Sequence, residues 1–152
     1  MDADTPFDRR LRRLRRNRAA ARFAGANYLH RLMADELLER LALVKRDFSD
    51  ALDFGCADGH LAQQLRGLGL TVTCSDAGFR FAEHCARAGM AVQCDEDRPT
   101  FADGSFNLIM SVGVLDSVND LPGALVLARR MLRPDGLFLA AFLGAGSLPR
   151  PR

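Results

Sequence analysis

From residue 51 onward, short apolar segments alternate with segments of helical periodicity, and this alternation constrains the fold more than any other feature of the chain. Strands are predicted at 51–54, 70–75, 90–94, 106–111 and 137–143, and helices at 60–66, 79–88 and 120–132. Strands joined by helical crossovers pair in parallel, and helices cover both faces of such sheets. The sequence therefore predicts an α/β fold with one sheet of five parallel strands.

The segment before the first strand is basic and has a helical pattern. Eight arginines fall between Arg9 and Arg22, and apolar residues from Leu29 to Leu41 recur at three- and four-residue steps. The pattern predicts one helical segment over residues 7–45. We therefore predict three parts of the chain: a basic helical segment at 1–45, an α/β domain at 46–145, and a disordered tail at 146–152.

The arginine cluster admits a second interpretation, which is a contact with nucleic acid. Clustered arginines bind phosphates with an affinity that falls as salt rises. No aromatic side chain lies between Arg9 and Arg22 to stack on bases, so nucleic acid is the less favoured partner.

The cysteines and the apolar runs indicate the cellular compartment. Cys56, Cys74, Cys85 and Cys94 form neither a C-x-x-C pair nor the spacing of a zinc site, so no metal is expected. Reduced thiols that pack as small hydrophobic groups are favoured over disulfides. No apolar run reaches the roughly 18 residues of a membrane span, and the first residues lack the apolar core of a secretory signal. These features predict a cytoplasmic protein without a membrane span.

A glycine-bearing loop follows the first predicted strand and reads Asp53-Phe54-Gly55-Cys56-Ala57-Asp58-Gly59. Open parallel sheets bind ligands at this edge. Ala57 and His60 break the dinucleotide pattern G-x-G-x-x-G. A second pattern, acidic-x-G-x-G-x-G, is matched at three of its four positions, with Ala57 as the exception. An ordinary glycine-rich turn without a ligand is the alternative.

Acidic residues follow the second and third predicted strands. Asp76 lies about 20 residues after the loop, where a carboxylate can accept hydrogen bonds from both hydroxyls of a ribose. Its alternative role is to cap the next helix. In that case its removal costs the protein no more than about 0.5–2 kcal/mol. Asp95, Glu96 and Asp97 either border the same cleft, near an adenine, or form a solvated acidic loop.

These features resemble class I S-adenosylmethionine-dependent methyltransferases, and within them the methyltransferase type 11 group. The resemblance is carried by the loop at 53–59, by Asp76, and by the stretches at 101–108 and 132–136. Residues 118–122 and the arginine-rich opening are similar to one branch of the group. That branch lies near the biotin-pathway malonyl-carrier methyltransferase and the mitochondrial complex I assembly factor of this fold.

The resemblance implies a Rossmann-like sheet, S-adenosylmethionine as cofactor, and a role for each matching residue. Asp53 and Gly55 shape the pocket for the methionine part, Gly59 opens the next helix, and Asp76 holds the ribose. Residues 111–114 line the methyl-donor site. The resulting candidates for cofactor binding are Asp53, Gly55, Cys56, Ala57, Gly59, Asp76, Asp95, Glu96 and Ser111.

Several positions depart from the family pattern. Ala57 replaces a glycine, Asn107 replaces an aspartate, and Asp116-Ser117 stands where relatives often have His-Trp, so no catalytic residue is assigned. The family sheet has seven strands, and five are predicted here. We therefore expect a C-terminally short, weakly active or inactive methyltransferase that self-associates through its fifth strand. The methyl acceptor, a small molecule or a protein, is not indicated. The alternative is a non-catalytic S-adenosylmethionine-binding protein that acts in assembly or interaction.

Overall fold

The computed structural model describes residues 5–144 and Gly146, and it contains one five-stranded sheet. The predicted disordered tail therefore lies outside the described residues, except for Gly146. The strands are β1 (Asp50–Phe54), β2 (Thr71–Asp76), β3 (Ala91–Gln93), β4 (Phe106–Val112) and β5 (Leu132–Ala141). The helices are α1 (Arg9–Ala20), α2 (Tyr28–Ala42), α3 (His60–Gly67), α4 (Phe79–Ala86) and α5 (Leu121–Met131).

The strand order is β3-β2-β1-β4-β5, and every neighbouring pair is parallel. The predicted α/β fold with five parallel strands is confirmed. The chain order reverses at β1, since β2 lies on one side of it and β4 on the other. The carboxyl ends of β1 and β4 therefore border the crevice in which sheets of this type bind ligands.

Alternation along β1 shows how the two faces of the sheet are covered. Ala51 belongs to a buried cluster with residues of α2, α3 and α4. Leu52, on the opposite face, packs in a second cluster with Ala128 and Met131 of α5. Side chains of successive strand residues point to opposite faces, so each face buries its own apolar set. Helices on both faces, as predicted, are the result.

The N-terminal segment, predicted to be helical over residues 7–45, is not one continuous helix. It forms two α-helices, α1 and α2, separated by a short 3-10 helix at Phe23–Gly25. The break allows the Phe23 ring to pack edge-on against both His30 and Phe81, with ring centroids 5.3 Å apart in each pair. Tertiary packing of an aromatic side chain thus overrides the helical pattern of the sequence.

The fifth strand begins earlier and ends earlier than predicted, at Leu132 and Ala141. Leu132 pairs with Phe106, while Leu137 pairs with Leu108. Residues 133–136 therefore bulge out opposite Asn107, and the predicted turn lies within the strand. At the preceding helix, Asp120 is the N-cap of α5 and accepts a hydrogen bond from the backbone N–H of Gly123, which confirms the predicted cap.

Among the described residues, no helix is both long enough and apolar enough to cross a membrane.

Candidate functional site

The loop after β1 is shaped by two glycines with left-handed backbone. Gly55 has a φ of +90° and Gly59 a φ of +81°, which glycine adopts without strain. A Cβ atom at Gly55 would lie 2.4 Å from Cγ2 of Val114, the second residue after β4. The Gly55 backbone therefore approaches the Val114 side chain too closely for any other residue. This contact holds the first loop against the end of the fourth strand.

Ala57 has a left-handed backbone, a conformation that glycine adopts more readily than alanine. Its φ is +46°, its side chain is buried, and its N–H donates a hydrogen bond of 3.0 Å to Oδ2 of Asp76. The alanine that departs from the family pattern is therefore held in a left-handed conformation by the loop. A left-handed backbone costs a non-glycine residue about 1–2 kcal/mol.

Asp76 is fully buried at the end of β2 and is held by the backbone around it. Its two carboxylate oxygens accept hydrogen bonds from the N–H groups of Ala57, at 3.0 Å, and Gly78, at 2.8 Å. Gly78, not Asp76, is the N-cap of α4, and that cap has no side-chain hydrogen bond. The interpretation of Asp76 as only a helix cap is therefore wrong. The carboxylate instead links the first loop to the start of α4.

Arg16 of α1 forms a bidentate ion pair with Asp76. Its Nε lies 2.7 Å from Oδ1 and its Nη2 lies 2.6 Å from Oδ2. Burial lowers the pKa of Arg16, but attraction to Asp76 and hydrogen bonding to it outweigh burial, and the net pKa is raised. The guanidinium also lies over the Phe81 ring, 5.1 Å from the centroid. Arg16 thus occupies the two oxygens that the sequence assigns to a ribose.

Three further arginines of α1 pair with the acidic residues after β3. Arg9 lies 2.8 Å from Asp97, Arg12 lies 2.8 Å from Glu96, and Arg13 lies 2.7 Å from Asp95. All three carboxylates are nearly inaccessible to solvent, with side-chain exposures of 4%, 1% and 3%. Burial raises the pKa of Glu96, although Arg12 opposes this rise. The interpretation of these acids as a solvated loop is therefore wrong.

Asp53 and Ser111 lie buried at the carboxyl ends of β1 and β4. The Ser111 hydroxyl donates a hydrogen bond of 2.7 Å to the carbonyl of Phe54, which ties the two strands together. Oδ2 of Asp53 is buried and has no hydrogen-bond partner. Burial raises the pKa of Asp53 well above its usual range, and nearby Cys74 and Asp76 add to the rise.

A cavity of about 190 Å³ lies next to these residues, between the N-terminal helices and the end of β4. It is lined by Arg16, Phe23, Leu29, His30, Met33, Ala57, Val112, Gly113, Val114, Asp116 and Leu143. The structure thus brings residues 112–114 of the predicted methyl-donor region to one cavity. Most of its walls are apolar, which suits the enclosure of a small ligand.

His30 was not among the residues that the sequence singled out. Both of its ring nitrogens are buried without a hydrogen-bond partner, although the ring lines the cavity. Burial lowers its pKa, Asp58 opposes this, and nearby Arg16 and His60 contribute to the fall. A signal was present, since His30 precedes Met33, Ala34, Leu37 and Leu41 at the spacing of one helix face.

The titration of His30 is therefore expected to differ from that of an ordinary histidine. Its imidazole should protonate below the ordinary pKa of about 6.5, because the buried site disfavours the charged form. Above that pH it is neutral in both folded and unfolded chains. Protonation as pH falls should therefore destabilise the folded state. Imidazole NMR signals, assigned with the His30→Gln variant, measure this pKa, and a midpoint at or above 6.5 would contradict it.

Comparison with known proteins identifies the family of this chain. A family model described as a methyltransferase domain matches residues 25–147. Human mitochondrial arginine-hydroxylase NDUFAF5 is 31% identical over 148 residues, which cover 93% of this chain and 43% of that protein. Malonyl-acyl-carrier-protein O-methyltransferase of Enterobacter lignolyticus is 32% identical over 150 residues, covering 97% and 59%. This chain thus spans about half the length of these curated relatives.

A solved structure shares the fold. A methyltransferase of Haloferax volcanii in complex with the Trm112 methyltransferase activator superposes with a TM-score of 0.74 and 21% identity, covering 84% of this chain and 59% of that one. The resemblance to the branch near the malonyl-carrier methyltransferase and the complex I assembly factor is confirmed by the relatives above. This chain belongs to the methyltransferase domain family, and S-adenosylmethionine is the cofactor class that this family implies.

Proposed function

We propose that this chain is the cofactor-binding domain of an S-adenosylmethionine-dependent methyltransferase. The observation that carries the proposal is the arrangement around Asp76. A buried carboxylate at the end of β2 accepts one backbone hydrogen bond from the first loop and one from the start of α4, beside two further buried acids and an apolar cavity. Such an arrangement suits a ligand that has a ribose, an adenine and a small apolar group such as a methyl.

The residues present fit this cofactor. Gly55 allows the close backbone approach of the loop to β4, and the buried Oδ2 of Asp53 lacks a hydrogen-bond partner, which a ligand could supply. Asp76 would hold the ribose, and Asp95 with Glu96 would border the adenine. The remaining proposed contacts come from the loop and the end of β4, at Cys56, Ala57, Gly59 and Ser111.

Arg16 has to leave Asp76 before a ribose can take its place. The bound cofactor supplies a methyl group on a positively charged sulfur, which is already activated for transfer. The chain's own contribution is therefore to position the acceptor and to exclude water. Withdrawal of α1 and its return over the loaded cleft would do both, since four of its arginines contact acids of the cleft.

His30 is the proposed acceptor-side base. Its neutral imidazole lines the cavity next to Val114, and both nitrogens lack hydrogen-bond partners. An acceptor that loses a proton as it gains the methyl group could pass that proton to His30. This role fits an acceptor with an N–H, O–H or acidic C–H group.

The main alternative remains a non-catalytic protein that binds S-adenosylmethionine and acts through a partner. The relatives permit both, because one is named a hydroxylase and another a methyltransferase. Fold alone does not decide the chemistry. A related solved structure holds an activator, so a protein partner is compatible with either function. Methyl transfer from labelled cofactor to protein or small-molecule acceptors distinguishes the two.

The charges of α1, the position of β5 and the state of the thiols bear on other partners and on the location. Four arginines of α1 are engaged with internal acids, which reduces the charge left for nucleic acid. β5 is one of the two edge strands among the described residues, so self-association through it stays a prediction that the mass in solution tests. A cytoplasmic location is supported by four buried free thiols, whereas the NDUFAF5 relatives are mitochondrial.

Equilibrium binding tests the proposed function. Calorimetric titration should show one site for S-adenosylhomocysteine, the demethylated product, and no comparable binding of NAD. The expected preference rests on Ala57 and His60, which break the dinucleotide pattern. Binding of NAD in preference to S-adenosylhomocysteine would refute the proposal.

Replacing Arg16 with glutamine should strengthen S-adenosylhomocysteine binding by about 10-fold or more. The reason is that hydrogen bonds to a charged group, worth about 1.5–3 kcal/mol, no longer have to be broken first. Arg15→Gln is the matched control, because Arg15 is exposed on the same helix. Unchanged or weaker binding by the Arg16 variant would show that Arg16 does not compete with the ribose.

A further inference from the structure

We propose that Cys56, Cys74 and Cys85 form a three-thiolate site for a soft divalent cation of the zinc and cadmium class. Sequence spacing does not predict this site, because the three residues lie in different elements. Cys56 belongs to the loop after β1, Cys74 to β2 and Cys85 to α4. The proposal does not depend on the proposed function, because metal binding is measured without the cofactor.

The geometry of the three sulfurs suits one ion. All three Sγ atoms lie within 4.8 Å of one another, and all three residues are buried. Zinc–thiolate bonds are about 2.3 Å long, which places three sulfurs around one ion about 4.0 Å apart. A small contraction of the cluster therefore completes a trigonal site.

The surroundings favour a divalent ion. Nη2 of Arg66 lies 3.8 Å from Sγ of Cys74 and supplies one positive charge beside the cluster. Three thiolates, a divalent ion and Arg66 together carry no net charge, whereas a monovalent ion leaves one buried negative charge. Isolated buried charge is costly, and soft thiolate ligands select thiophilic metals. Binding would release the three thiol protons to solvent.

The site would connect the cofactor loop to its supports. Cys56 lies between Gly55 and Ala57, whose backbone shapes the loop, and Sγ of Cys85 lies 3.5 Å from the carbonyl oxygen of Ala57. An ion held by all three sulfurs would therefore crosslink the loop to β2 and α4. The expected result is a more stable domain in the presence of metal.

Cadmium is the probe of choice, because each bond from cadmium to a thiolate adds to an ultraviolet charge-transfer band. The reduced chain should bind one cadmium ion. The chain is loaded with Cd²⁺ by titration and also by refolding in its presence, because the sulfurs are buried. The band should have the intensity of three such bonds, zinc should displace it, and the melting temperature should rise. This measurement on the unaltered chain decides the question even where a variant fails to fold.

Serine variants identify the ligands. Cys74→Ser and Cys85→Ser should each remove a third or more of the band and weaken cadmium binding at least 10-fold. Cys94→Ser is the matched control, because Cys94 is a buried free thiol outside the cluster, and it should leave the band unchanged. The proposal is overturned if the unaltered chain shows no charge-transfer band, or if the Cys94 variant loses as much of it as the others. The three thiols would then be apolar packing only.

Discussion

Replacing Gly55 with alanine should destabilise the domain by about 2–5 kcal/mol. Two separate costs add up. The left-handed backbone, with φ of +90°, costs a non-glycine residue about 1–2 kcal/mol, and forcing a methyl group into a packed region costs about 1–3 kcal/mol. The added Cβ would lie 2.4 Å from Cγ2 of Val114. The change in the midpoint of urea unfolding, at constant slope, measures the loss.

Two controls separate the contact from a general effect of losing a glycine. A Cβ at Gly67, at the end of α3, meets no atom within 4 Å, so Gly67→Ala should change stability by no more than about 1 kcal/mol. In the Gly55→Ala background, Val114→Ala should cost less than it does alone, because it removes the clashing methyl groups. Equal midpoints for the Gly55 and Gly67 variants would contradict the packing described for the loop.

Replacing Asp76 with alanine should destabilise the ligand-free domain by about 3–5 kcal/mol, the cost of removing one partner of a buried ion pair. Asp76 is fully buried, and Arg16 is only 20% exposed. The change also leaves the N–H groups of Ala57 and Gly78 without their acceptor. This loss exceeds the 0.5–2 kcal/mol that a helix cap alone would give.

An exposed ion pair in the same domain provides the comparison. Asp103 and Arg130 lie 3.3 Å apart and are 68% and 60% exposed. Asp103→Ala should therefore cost no more than about 1 kcal/mol. Adding Arg16→Leu to the Asp76 variant should restore part of the lost stability, because the variant then no longer buries a guanidinium that lacks its carboxylate partner. Similar losses for the Asp76 and Asp103 variants would show that the buried pair does not stabilise the domain.

The sequence predicted the fold because its evidence is local. Apolar runs, turn residues and the capped start of α5 each arise from neighbouring residues, and crossover geometry then determines the parallel sheet. The same holds for the approximate position of the site. Asp53 and Asp76 lie at the carboxyl ends of β1 and β2, Asp95 follows β3, and the carboxyl ends of parallel strands share one edge of the sheet.

What the sequence did not predict depends on contacts between distant residues. Arg16 and Asp76 are 60 positions apart, and only the docking of α1 across the cleft brings them together. The break between α1 and α2 likewise depends on the packing of Phe23, and His30 becomes notable only because both of its nitrogens are buried. The proposed division of the chain into segments at 1–45, 46–145 and 146–152 stays a prediction.

The most direct test of the cofactor site is a map of backbone amide NMR shifts on addition of S-adenosylhomocysteine. The largest changes should fall in the loop at 55–59, at 76–78 after β2, at 95–96 and at 111–114. The side-chain signals of Arg16 should also shift as its ion pair with Asp76 breaks. Changes confined to other parts of the domain, or none at saturating ligand, would contradict the proposed site.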